Sequence, residues 1–223
     1  MGFKTIEQNI MRHNDDAAAE VRALLEQKRV FAVNIISSPG AGKTALLENV
    51  CPVLKKDNIR FMVVTGDCFT SRDAERIDKL DLPVVQVTTG GACHMNAQIV
   101  GRVLEEQDLE KLDLLIVENL GNLVCPAGFD LGEDVKVALF STAEGEDKPL
   151  KYPMLVKEGG LAIINKTDLL EHLDFDMDFC ENSIKKINPG IRMIRTSCVT
   201  GQGIEELSGW LKQNIKMKKE RNR

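Results

Sequence analysis

Ser37-Ser38-Pro39-Gly40-Ala41-Gly42-Lys43-Thr44 constrains this chain more than any other stretch. An apolar run, Val30 to Ile36, precedes it, and a helical pattern, Lys43 to Lys56, follows. A glycine-rich loop between a strand and a helix wraps backbone N–H groups around a phosphate, and the helix N-terminus adds positive potential. Gly40 and Gly42 permit the curl. Ala41 and Ala45 join the nucleotide-binding set, Lys43 reaches the terminal phosphates as a catalytic residue, and the Thr44 hydroxyl binds Mg²⁺. The usual pattern has glycine where this chain has Ser37, which leaves the helix-proximal chemistry intact.

The rest of the chain alternates in a way that suits such a loop. Further apolar, β-branched runs occur at Arg60 to Thr65, Val84 to Val87, Leu114 to Glu118, Val135 to Ser141, Leu161 to Asn165 and Met193 to Ser197. Near-continuous apolarity marks strands covered on both faces. Helical patterns lie at Ile6 to Lys28, Ser71 to Leu80, His94 to Glu106, Asp178 to Asn188 and Ile204 to Ile215. The expectation is a single α/β domain over 1–223, a P-loop NTPase whose mostly parallel central sheet of about seven strands carries helices on both faces. Residues 1–29 supply an N-terminal helix that packs on the sheet through Ile6, Ile10, Val21, Leu24 and Leu25. Residues 216–223, with Lys216, Lys218, Lys219, Arg221 and Arg223, read as a frayed, solvated helix end.

Charge and hydropathy narrow the partners. Lysine and arginine total 29 against 34 acidic residues, a net charge of −5, so no global field attracts nucleic acid or an anionic membrane. No apolar run approaches the roughly 18 residues that span a bilayer, and Met1 to Glu20 lacks a signal-peptide core. A cytoplasmic location is expected. There the six cysteines stay reduced and serve as buried apolar residues, ligands or nucleophiles.

Two further segments fit a nucleotide. Asn165-Lys166-Thr167-Asp168 follows the Leu161 strand, and the Asp168 carboxylate suits the two N–H donors of guanine, which adenine lacks. GTP is therefore favoured over ATP, with Ser197 and Cys198 completing the base pocket through backbone N–H groups. Mg²⁺ needs oxygen ligands from more than one segment, and Asp67, Asp73 and Glu118 stand at or beyond strand ends to join Thr44. Asp67 is also the first choice for activating water.

A thiol and imidazole set stands apart from these. Cys93-His94 precedes the helix expected from about His94, and Cys125 follows the Glu118 strand end in Gly121-Asn122-Leu123-Val124-Cys125-Pro126. Both segments leave carboxyl ends of strands and emerge on the nucleotide-facing edge. Placement at a helix N-terminus would lower a thiol pKa and favour Zn²⁺ or Ni²⁺. Three ligands leave an open position, or are completed by a symmetry mate; two buried cysteines and a satisfied histidine remain the alternative on spacing alone. Cys51, Cys68, Cys180 and Cys198 lack neighbouring ligands and read as buried or incidental thiols.

Taken together, the phosphate loop, Gly66-Asp67, Gly91-Ala92-Cys93-His94, Glu118-Asn119-Leu120-Gly121-Asn122-Leu123-Val124-Cys125-Pro126 and Asn165-Lys166-Thr167-Asp168 resemble the hydrogenase nickel-incorporation GTPases of the HypB family, over about residues 5 to 215. The resemblance implies a GTP-dependent metallochaperone that assists nickel delivery to the [NiFe]-hydrogenase large subunit precursor, working with a HypA-type zinc-containing accessory protein. It also implies a homodimer strengthened by GTP, a Zn²⁺ or Ni²⁺ site at Cys93, His94 and Cys125 near the dimer interface, and switch and Mg²⁺ roles for Asp67, Asp73 and Glu118. Residues 1–40 hold no cysteine and only His13, so the N-terminal nickel store of some relatives is not expected. Gln98 stands where some relatives have a second histidine. Urease nickel GTPases, similar in their nucleotide motifs, have a proline between cysteine and histidine, whereas Cys93 and His94 adjoin. A cobalamin-enzyme GTPase chaperone is not expected to carry this thiol and imidazole set, and a non-hydrolysing scaffold around structural zinc is the reading from a different class.

Overall fold

A computed structural model describes residues 6–67 and 72–221, with side chains described from residue 12 and, after the gap, from residue 73. Cys68, Ser71, Arg223 and the side chains of Ile6 and Ile10 lie outside the described residues. Strands β1 (Phe31–Ser37), β2 (Phe61–Asp67), β3 (Val84–Thr88), β4 (Leu114–Gly121), β5 (Val135–Ser141), β6 (Gly159–Asn165) and β7 (Arg192–Arg195) form one sheet in the order β3-β2-β4-β1-β5-β6-β7. Every pairing is parallel, as expected. Each residue of β1 is buried, which is why its sequence reads as an apolar run rather than an alternation.

Period-two geometry sends alternate strand residues to two layers. On one side Phe31, Val33, Ile35, Leu114 and Ile116 meet α2 (Lys43–Lys56) and α9 (Ile204–Glu220); Trp210 of α9 lies edge-on to Phe31 at 6.1 Å between ring centroids. On the other side Ala32, Leu115 and Val117 meet α1 (Ile6–Lys28), through Val21 and Leu25, and α4 (Ala97–Glu105), through Val100 and Leu104. Ala138, Ala162 and Ile164 are covered by α7 (Pro153–Glu158) and α8 (Met177–Ile187). Among the described residues, no helix is long and apolar enough to cross a membrane.

Three expectations change. The helix assigned from His94 begins at Ala97, because the Asn96 side chain caps it by accepting the Ile99 N–H at 3.0 Å. Cys93 and His94 therefore sit in the preceding loop, beyond the first turn within which a helix dipole acts. The strand expected to reach Ser197 stops at Arg195, since the Ser197 N–H turns to the Gln202 carbonyl instead of continuing the ladder. The tail described as frayed is helical through Glu220. Lys218 is only 3% exposed and donates to Asp134 at 2.7 Å while pairing with Glu26, and Lys219 pairs with Asp113, so these cations pin α9 to α1 and the sheet. The short helices α3 (Arg72–Asp78), α5 (Cys125–Gly128) and α6 (Lys148–Lys151) complete the layers.

Candidate nucleotide and metal site

The loops after β1, β2 and β4 leave the same carboxyl edge of the sheet and enclose a cleft of about 690 Å³. Its size suits a nucleotide, since small-molecule sites run from roughly 300 to 1,000 Å³. Gly40, Gly42, Lys43, Thr44 and Ala45 line it from β1, Asp67 from β2, Asp73 from α3, and Glu118 from β4. Lys166 and Cys93 reach its wall as well.

Local backbone explains the loop. Gly42 has φ +102°, and a Cβ there would lie 2.5 Å from the Asn165 amide nitrogen. With Gly42 as its cap, α2 has no side-chain cap hydrogen bond, so its first N–H groups are available to an anion. Lys43 Nζ donates to Ser37 Oγ at 3.0 Å. Burial lowers the pKa of Lys43, while Glu118, Asp73 and Glu144 oppose that shift.

Glu118 is 2% exposed and accepts the Thr44 hydroxyl at 2.7 Å on one carboxylate oxygen. Its other oxygen, Oε2, is buried without a hydrogen-bond partner. Burial pushes its carboxyl up to about 7, against the pull of Thr44 and Lys43. A half-satisfied buried carboxylate beside a hydroxyl is the donor set a hard divalent cation takes, so Thr44 and Glu118 fit Mg²⁺, with Asp67 and Asp73 on the same cleft wall.

The remaining nucleotide residues take distinct positions. Ala41 is buried, and its carbonyl accepts from Asn165 Nδ2 at 3.0 Å, while Asn165 Oδ1 accepts from Thr196 at 2.9 Å. Asn165 thus braces the phosphate loop. Lys166 Nζ donates to the Gly40 carbonyl at 2.6 Å, the Ser197 hydroxyl donates to Asp168, and Cys198 Sγ lies 3.8 Å from Asn165 Oδ1.

Among the lining residues given no site role from the sequence are Arg76, Asn119, Gly121 and Asn122. Arg76 enters the cleft wall from α3, held by a two-point ion pair to Glu48 at 2.8 and 2.6 Å; an arginine three residues after Asp73 was the available signal. Gly121 ends β4, where a Cβ would sit 2.9 Å from Pro39 Cα and N. A glycine three residues after Glu118 was the signal there. Gly121→Ala must push β4 and the phosphate loop apart, a strain of about 1–3 kcal/mol. We expect it to weaken GDP binding by about tenfold or more in titration calorimetry; unchanged binding would show that this close approach is dispensable.

Cys93, His94 and Cys125 converge. One ligand atom from each lies within 4.8 Å of the others, with Cys93 Sγ 3.3 Å from His94 Nδ1. Bond lengths of about 2.3 Å to sulfur and 2.0 Å to nitrogen place the ligand atoms of a tetrahedral set of two sulfurs and one nitrogen roughly 3.5–3.8 Å apart, so small adjustments close this set around an ion and leave a fourth position open. The His94 ring leans on Phe129, 4.0 Å between centroids, and burial lowers its pKa, which favours the neutral, ligating imidazole. Cys51 and Cys180 are buried and their thiols are pushed up to about 12 by burial, which leaves them inert.

A family model for the CobW/HypB/UreG nucleotide-binding domain matches residues 31–195. The chain is 49% identical to the hydrogenase maturation factor HypB of Azotobacter chroococcum mcd 1, over 93% of this chain and 68% of that protein. It is 36% identical to the probable hydrogenase maturation factor HypB of Methanocaldococcus jannaschii, over 97% of each. A crystal structure of HypB from Helicobacter pylori in complex with nickel matches with TM-score 0.85 and 35% identity, over 92% of this chain and 96% of that one.

Proposed function

The chain belongs to the HypB family of hydrogenase maturation factors, and from that premise we propose that it is a GTP-hydrolysing metallochaperone that assists nickel insertion into a [NiFe]-hydrogenase. Its nucleotide state biases homodimer formation and the affinity of the Cys93, His94 and Cys125 site for Ni²⁺ or Zn²⁺. It works in the cytoplasm with a HypA-type accessory protein and acts on the hydrogenase large subunit precursor. The observation that carries this reading is the sharing of Cys93 between the nucleotide cleft and the thiol and imidazole cluster.

The reaction is transfer of the γ-phosphoryl group to water, which depends on positioning and charge stabilisation. The phosphate loop and the start of α2 hold the β-phosphate, and Lys43 moves from Ser37 to the γ-phosphate. Mg²⁺, when bound, neutralises charge developing on the phosphate oxygens. Thr44 and Glu118, with its partnerless carboxylate oxygen, would hold it, aided by Asp67 and Asp73. Asp67 orients the attacking water. Asp168 reads guanine N1 and N2, with Ser197 and Cys198 closing the base pocket.

Sedimentation with Mg²⁺ and GDP or a non-hydrolysable GTP analogue, with metal content measured in each fraction, tests the reading. The analogue should enrich a dimer, and nickel content should differ between nucleotide states. One oligomeric state with identical nickel content under both nucleotides would overturn it.

A further inference from the structure

Adjacent residues of a buried strand face opposite sides, and β4 uses this at its end. Glu118 faces the α2 side, where it accepts the Thr44 hydroxyl. Asn119, the next residue, faces the α1 and α4 side, where it is 1% exposed. There its Oδ1 accepts the Met95 backbone N–H at 3.2 Å and the Leu120 N–H at 2.9 Å. Met95 directly follows His94. One peptide unit of β4 thus separates the nucleotide-side carboxylate from a bond that fixes the loop bearing two of the three soft ligands.

A chain of buried amides supports that bond. Asn119 Nδ2 donates to Asn34 Oδ1 at 3.1 Å, and Asn34 Nδ2 donates to Glu133 Oε1 at 3.2 Å. The other Glu133 oxygen accepts the Leu131 N–H at 2.6 Å. The Met95 and Leu120 backbone N–H groups need an acceptor, so Asn119 turns its oxygen to them and its NH₂ to Asn34 Oδ1, and Asn34 in turn presents its own NH₂ to Glu133. Reversing either amide would oppose two donors or two acceptors in a buried network, where unpaired groups are costly.

A second tie runs parallel to the first. Asn122 Nδ2 donates to the Cys93 carbonyl at 3.3 Å, while Asn122 Oδ1 accepts the Val124 N–H at 2.9 Å, next to Cys125. The Met95 side chain is fully buried beside Gly66 and Leu120, so close that a Cβ on Gly66 would meet them at 2.8–3.1 Å. Met95 thus anchors the end of the loop in the core beside β2 and β4.

We propose that Asn119 is a positioning residue, with Asn122 as its second tie, that binds the Cys93–Met95 loop to the strand end carrying Glu118, so that nucleotide occupancy sets metal affinity through β4. This rests on the coupling of nucleotide and metal proposed above and names the residues that transmit it. A shift of Glu118 on Mg²⁺–nucleotide binding is passed along β4 to Asn119 and Asn122, and through their hydrogen bonds to the Cys93–Met95 loop, so the geometry that Cys93 and His94 offer an ion changes with nucleotide state.

The test is the ratio of Ni²⁺ dissociation constants with Mg²⁺–GDP and with a Mg²⁺–GTP analogue, measured by chelator competition. Coupling between two sites is typically about 5- to 150-fold, and the unaltered protein should fall in that range. Asn119→Ala, which removes the acceptor for the Met95 N–H, should bring the ratio below about twofold. A purely structural role would weaken both Ni²⁺ affinities equally and leave the ratio intact, and that result would overturn the proposal. If Asn119→Ala does not fold, the partly exposed Asn122→Ala carries the same test: a reduced ratio supports the tie and an unchanged one overturns it. Equal Ni²⁺ affinities in the unaltered protein would overturn the coupling itself, whereas coupling that survives in the variants would overturn only the role given to these amides.

Discussion

Lys43→Ala is expected to reduce GTP turnover by on the order of 10²–10³-fold, the loss seen when one preorganised donor is removed from a developing oxyanion. Lys43 is the basic residue at the head of α2, and its ammonium faces Glu118, Asp73 and Glu144, whose charges favour its protonated form. Deleting it leaves these carboxylates facing the triphosphate uncompensated, so ground-state binding should weaken along with turnover. Lys43→Arg should not restore the rate, because a planar fork cannot replace a compact ammonium ion within the curl of the loop. Phosphate release under single-turnover conditions, with nucleotide saturating, separates the chemical step from binding. A rate within about threefold of the unaltered protein would mean that this loop holds the nucleotide without catalysing its hydrolysis.

The parts of this architecture that can be read in the sequence are those written as uninterrupted patterns. Burial on both faces makes the central strands continuous apolar runs, and the phosphate loop announces the strand before it and the helix after it. The start of α4 was hidden because periodicity extends back to His94, whereas the Asn96 cap places the first turn at Ala97. The end of α9 was hidden for the opposite reason. Lys218 and Lys219 look solvated until the fold brings Asp134, Glu26 and Asp113 to them from distant positions. In the site, Glu118 stood out as an acid directly after an apolar run. Asn34 and Asn119 drew no such attention, since an amide in a strand carries no signal until its partners, 85 residues apart, are known. Gly121 was legible only as a spacing. Its requirement comes from the approach of Pro39, which no local pattern records.

Serine in place of either thiol should reduce Ni²⁺ or Zn²⁺ affinity by more than about 100-fold. Altering outer-shell partners alone costs roughly 10- to 100-fold, and a hydroxyl is a harder ligand that does not ionise near neutrality. The pH dependence gives a sharper reading than the magnitude. Thiols in general titrate near pH ~8.5, so an ion held by two thiolates displaces about two protons near neutrality, and its affinity falls by about two powers of ten per pH unit on acidification. Cys93→Ser and Cys125→Ser should each lower that slope to about one. His94→Ala should weaken binding while leaving the slope near two above the titration of the ring, because burial already lowers the imidazole pKa and it has no proton to lose there. Titrations of Ni²⁺ between pH 6.5 and 8, with GDP bound throughout to hold the cleft in one state, would measure all three slopes. If both serine variants kept the slope of the unaltered protein, the sulfur atoms would be bystanders, and the convergence of Cys93, His94 and Cys125 would be a feature of loop packing with no ion to serve.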